Sequence, residues 1–133
     1  MAIVVGYVPT QEGRAAVERA AQESRLRNTK LIVVSSARGG RGVDAEDIRR
    51  FEEMLEKVRS DLESLGIDHE ERQFVRGNEP AEDIIAVADE VDADLIVIGL
   101  RRRTPVGKLL LGSNAQRILL EASVPVLAVK AGD

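Results

Sequence analysis

The chain has 133 residues, 44% hydrophobic and 32% charged, which is the balance of one globular domain and too apolar for a disordered chain. Cysteine is absent and histidine occurs once, as His69, which removes disulfides, iron–sulfur clusters, thiolate zinc sites, cysteine nucleophiles and three-histidine metal sites. A formal charge of −4, with Tyr7, Phe51 and Phe74 as the only aromatic residues, argues against nucleic acid and anionic membranes as partners.

No apolar run approaches the roughly 18–20 residues of a membrane span. The start, Met1-Ala2-Ile3-Val4-Val5, lacks the basic segment and long apolar stretch of a signal peptide. The expectation is a soluble, cytoplasmic, self-contained domain over residues 1–133.

In chain order, Ile3 to Val8 is an apolar, β-branched run broken by Pro9, and it predicts the first strand. After Thr10 the residues Ala16, Val17, Ala20 and Ala21 form a small-residue stripe, predicting a helix that packs closely on a sheet. Leu31 to Val34 is the second strand, closed by Ser35-Ser36. Ala37 to Val43, rich in glycine and arginine, is expected to be a mobile loop.

From Asp44 to Leu65 the residues Ile48, Phe51, Leu55, Val58, Leu62 and Leu65 step by three and four, predicting an amphipathic helix. Glu53 and Lys57 are placed to pair on its outer face, and Gly66 follows as a stop. His69 to Val75 alternates in polarity, with Glu71, Gln73 and Val75 on one face, as an edge strand does. His69 at its start reads as a satisfied or exposed surface residue. Pro80 marks the first turn of a third helix carrying Ile84, Ala88 and Val91.

Leu95 to Ile98 is the fourth strand, ending in Gly99. Ser113-Asn114-Ala115-Gln116 fits a capping box that opens a fourth helix, with Ile118, Leu119 and Ala122 inward. Val124 to Val129 is the last strand. Strand and helix alternate throughout, which implies an α/β fold: a doubly wound, Rossmann-like parallel sheet with helices on both faces.

In such a sheet ligands bind beyond the carboxyl ends of the strands, where strand order reverses. The connection from Gly99 to Ser113 lies there and carries four cations (Arg101, Arg102, Arg103, Lys108) and no acid. It closes with Gly112-Ser113 at a helix start, where free N–H groups and the positive end of the helix dipole favour an anion. A phosphate is the natural guest. A helix cap and a solvated arginine loop are the plainer reading of the same residues. Gly6 to Gly13 has no G-x-G, and Gly107-Lys108-Leu109 lacks the hydroxyl of a Walker loop, so neither of those phosphate motifs applies. No spacing suggests paired catalytic carboxylates, so the residues themselves point to no enzymatic chemistry.

Asp94-Leu95-Ile96-Val97-Ile98-Gly99, the basic loop, Leu110-Leu111-Gly112-Ser113 and Val124-Pro125-Val126-Leu127-Ala128-Val129-Lys130 closely resemble the universal stress protein family over nearly the whole chain. The resemblance implies five strands in the order 3-2-1-4-5 and a site for ATP or AMP, with Mg2+ as an accompanying ion held mainly by phosphate oxygens and water. Many members carry Gly, two residues, Gly, nine residues, then Gly-Ser or Gly-Thr. Here the spacing is kept from Gly99 through Arg102 to Gly112-Ser113, but Arg102 stands where the middle glycine would be.

Val8 likewise stands where nucleotide-binding members place an acid for the ribose hydroxyls. The resemblance then implies an adenine pocket of Gly6, Tyr7, Val8, Pro9, Ser36 and Ile98. Gly99, Arg101, Arg102, Gly112, Ser113 and Asn114 would take the phosphates, the arginines partly offsetting the missing contacts. The implied role is a stress-response sensor or regulatory module that is a homodimer through Val126, Leu127, Ala128, Val129 and Lys130. The alternative is a homodimeric interaction module of the same fold that binds no nucleotide.

Overall fold

The computed structural model describes residues 2–8, 10–36, 45–74, 79–100 and 112–131. The chain runs β1 (Ala2–Tyr7), α1 (Gln11–Arg27), β2 (Lys30–Ser36), α2 (Ala45–Ser64), β3 (His69–Phe74), α3 (Pro80–Glu90), β4 (Leu95–Leu100), α4 (Ser113–Glu121) and β5 (Val126–Lys130). The strands form one sheet in the order β3-β2-β1-β4-β5, and every pairing is parallel. Both the alternation and the strand order agree with the expectation. Strand order reverses between β1 and β4, the position at which sheets of this kind form a crevice.

Alternate side chains of each strand enter two separate cores, as the two-residue period requires. Ile3, Val5, Leu31, Val33 and Val97 pack under α1 and α2 through Ala16, Val17, Ala20, Leu55, Val58 and Leu62. Val4, Ile32, Val34, Ile96 and Ile98 pack under α3 and α4 through Ala81, Ile84, Val87, Ala88 and Ile118. The alanines of α1 bring it close enough to β1 and β4 that glycine is required at two contacts. A Cβ on Gly13 would lie 1.8 Å from the Val8 carbonyl oxygen, and one on Gly99 would lie 2.1 Å from that of Glu12. Both obstacles are main chain and cannot step aside.

Several local expectations are corrected. Leu65 lies beyond the end of α2 and is 51% exposed, and Leu119 is 41% exposed because one helical step from buried Ile118 turns it outward. Among the described residues α2 carries the pairs Glu46–Arg50 (3.6 Å) and Glu56–Arg59 rather than Glu53–Lys57. The cap of α4 is Gly112, with no side-chain cap bond, so Ser113 is the first helical residue and the expected capping box does not form. The segment Ala37–Val43, Val75 and the side chain of Ile48 lie outside the described residues.

The edge strand β3 is tied down by charge on both faces. Glu71 meets Arg59 of α2 at 2.6 Å, while Arg72 pairs with Glu90 at the end of α3. His69 donates from Nδ1 to the Ile67 carbonyl at 3.0 Å, at the amino end of β3 and so away from the carboxyl ends of the strands, as a satisfied structural residue.

Candidate functional site

At the carboxyl ends of β1, β2 and β4, on the face covered by α3 and α4, lies an open cleft of about 120 Å3. Its floor is Gly6 and Val8 from β1 and the residue after it, Val34 and Ser36 from β2, and Ile98 and Gly99 from β4. Gly6 keeps the floor low. A Cβ there would press on the Ile84 side chain at 2.5 Å, and Ile84 is itself a wall of the cleft.

Three helices present their first turns to this space: α1 at Gly13, α3 at Pro80 and α4 at Asn114 and Ala115. Each contributes the partial positive charge of a helix start, which attracts an anion, while α1 carries Glu12 and α3 carries Glu82 and Asp83 in those first turns. Two of these starts are also satisfied internally. The Thr10 hydroxyl accepts from the Gly13 N–H at 3.2 Å, capping α1. Asn114 accepts from the Ala81 N–H at 3.1 Å through its side-chain oxygen, so one end of α4 caps α3 across the cleft. Gly112 at the start of α4 has no such partner among the described residues and is exposed, with φ −68° and ψ 166°.

The residues singled out by sequence fall into three groups. Gly6, Tyr7, Val8, Ser36, Ile98, Gly99 and Asn114 all border the cleft. Gly112 and Ser113 are exposed at the adjoining start of α4. Pro9, Arg101 and Arg102 lie outside the described residues.

Tyr7 differs from its expected part. Its ring belongs to the opposite core, 6.4 Å from the Phe51 ring, so the main chain is what it offers the cleft. Its hydroxyl is buried without a partner among the described residues, and burial raises the phenol above its ordinary pKa of 10, partly opposed by Arg14.

Sequence reasoning missed Gly13, Pro80, Ile84 and Ile118 as cleft walls. The two isoleucines read as core residues, and they are core residues at one end only. It also missed Asp83, 6% exposed on the first turn of α3, which accepts a hydrogen bond from the Ser36 hydroxyl at 2.7 Å. An acid on the inner side of a helix beside Ile84 was the available signal.

The universal stress protein family model matches residues 1–130. The chain belongs to that family. It is 48% identical over 128 residues to a universal stress protein of Mycolicibacterium smegmatis, covering 96% of both chains. Among solved universal stress proteins, one from Archaeoglobus fulgidus is 42% identical with a TM-score of 0.83, covering 98% of each chain. A universal stress protein from Archaeoglobus fulgidus in complex with dAMP is 37% identical with a TM-score of 0.77, again covering 98% of each. The fold and strand order derived above are therefore those of the universal stress proteins. No helix among this member's described residues is long and apolar enough to cross a membrane.

Proposed function

We propose that this chain binds an adenine nucleotide, AMP or ATP, in the cleft at the ends of β1, β2 and β4, and serves as a regulatory module in a stress response. The observation that carries the reading is the convergence of three helix starts on a low, glycine-floored cleft, beside a connection whose sequence holds four cations. The dAMP complex of a 37% identical relative supports the ligand class. Phosphate is expected to supply most of the affinity, because Val8 offers no carboxylate to ribose hydroxyls and Arg102 offers a bidentate donor. A divalent ion would be held mainly by phosphate oxygens and water.

Isothermal titration of the purified chain with ATP, AMP and adenosine tests this. Both nucleotides should bind and adenosine should bind at least tenfold more weakly; equal affinities for all three would refute a phosphate-led site. Gly112→Asp separates ligand loss from misfolding. No described atom lies within 4 Å of a Cβ at Gly112, and aspartate is a good helix cap. The variant should be as stable as the parent or more so, yet its carboxylate should repel phosphate and weaken nucleotide binding about tenfold or more. Unchanged nucleotide affinity would place the phosphate elsewhere.

A homodimer through Val126–Lys130 belongs to the same proposal. Its support is that β5 closes one edge of the sheet with apolar residues only half buried.

A further inference from the structure

The Ser36–Asp83 hydrogen bond fixes the polarity of the cleft wall at the end of β2. A carboxylate oxygen only accepts, so the Ser36 hydroxyl spends its single proton on Asp83, at 2.7 Å. What remains on the Ser36 oxygen is lone-pair capacity, and Ser36 borders the cleft. Asp83 is 6% exposed and anchored on α3, so the hydroxyl is held in that orientation rather than free to rotate. The wall at this point is an acceptor.

Its position selects the part of a ligand that meets it. The start of α4 follows β4, and β2 lies two strands away across β1. That is about 10 Å at the ordinary strand spacing. A mononucleotide with its phosphate at the α4 start therefore brings its base to the β2 end.

We propose that Ser36 is a specificity-determining residue that accepts a hydrogen bond from the exocyclic amine of a 6-aminopurine, with Asp83 as the positioning residue that keeps the hydroxyl proton turned away from the ligand. The inference rests on the nucleotide reading of the cleft. Its chemical consequence is discrimination. A 6-oxopurine presents a carbonyl oxygen to the same lone pairs and is repelled, while a purine without a 6-substituent leaves them unpaired.

The test compares AMP, IMP and purine riboside 5′-monophosphate by titration against the full chain and two variants. The parent should bind AMP about tenfold more tightly than either analogue. Ser36→Ala should bring AMP and purine riboside monophosphate to within about twofold of each other. Asp83→Ala should restore binding of IMP relative to AMP, because the freed hydroxyl can turn and donate. This ratio reports hydroxyl orientation, which a general loss of stability would not move.

Equal binding of AMP and IMP by the parent, or discrimination that survives Ser36→Ala, overturns this assignment and leaves the nucleotide site standing. Failure of all three nucleotides to bind overturns the site and this assignment together. Ser36→Ala removes one hydroxyl at a half-buried strand end, so it keeps the test decisive should Asp83→Ala not fold.

Discussion

Tyr7 shows how one side chain serves two demands. Its ring is 2% exposed and fills the core beneath α1 and α2, while its main chain borders the cleft on the other side of the sheet. The buried hydroxyl has no partner among the described residues, and such a group costs about 1–3 kcal/mol. Tyr7→Phe keeps the ring and removes the orphan, so stability should rise by about 1 kcal/mol at neutral pH, read by urea denaturation. The pH dependence has a definite sign. Burial raises the phenol in the folded chain, whereas the unfolded one ionises near 10. Above pH 10 the unfolded state therefore sheds a proton that the native state keeps, and the parent loses stability through this group. The variant should not. Tyr7 is the only tyrosine and there is no tryptophan, so alkaline absorbance titration follows this group alone. A midpoint at or below 10 would contradict the burial.

At the scale of elements, three helices end in the same way with three different residues. The N–H of Thr29, Ile67 and Ala93 reach back to the carbonyls of Ser24, Leu62 and Ala88 at 3.0, 3.1 and 2.9 Å. The residues before them, Asn28, Gly66 and Asp92, take φ values of 51°, 70° and 52°. This is the Schellman ending, which needs a left-handed residue. Gly66 was legible as a stop because glycine adopts that conformation freely. Asn28 tolerates it, but Asp92 announces nothing in sequence and sets a negative charge at the negative end of α3. Asp92→Gly should therefore stabilise the fold by about 1 kcal/mol and raise the melting temperature by about 2–8 °C in calorimetry. A fall would mean that the exposed carboxylate is doing something for the fold that its geometry does not suggest.

The same contrast explains what could be read beforehand. Strands and helices followed from continuous apolar runs such as Leu95 to Ile98 and from the stripe Phe51, Leu55, Val58 and Leu62, because burial is periodic in the chain. The residue that caps α3 and the partner of Ser36 were not readable. Asn114 caps α3 from 33 residues away and Ser36 donates across 47, and no local pattern encodes such pairings. The glycines at 6 and 99 were assigned to the cleft, yet the reason Gly99 must be glycine is the neighbouring carbonyl of Glu12, a contact only the folded chain creates.

For the whole molecule, the two edges of the sheet differ in chemistry. The β3 edge is lined by charge: Lys30 stands 4.0 Å from Glu70, and Arg72 reaches both Glu70 and Glu90. Such an edge resists pairing with another sheet. The β5 edge is Val126-Leu127-Ala128-Val129, half buried on both faces, and it carries only Lys130.

Its hydrogen-bond parity can be read from the ladder with β4. Ile96 donates to Pro125 at 3.0 Å and Ala131 donates to Leu100 at 3.3 Å, so the odd-numbered residues bond inward. The N–H and C=O of Val126, Ala128 and Lys130 then face the open side, available to a second copy running antiparallel across a two-fold axis. Ala128→Pro removes the central outward donor and leaves every inward bond in place, which an edge strand tolerates. Light scattering at micromolar concentration should show the parent as a dimer and this variant as a monomer, with the far-ultraviolet circular dichroism of the two unchanged. Val129→Pro, one residue on, would instead break an inward bond and unfold the edge. A parent that is monomeric, or an Ala128→Pro variant that remains dimeric, would show that β5 is not where two chains meet.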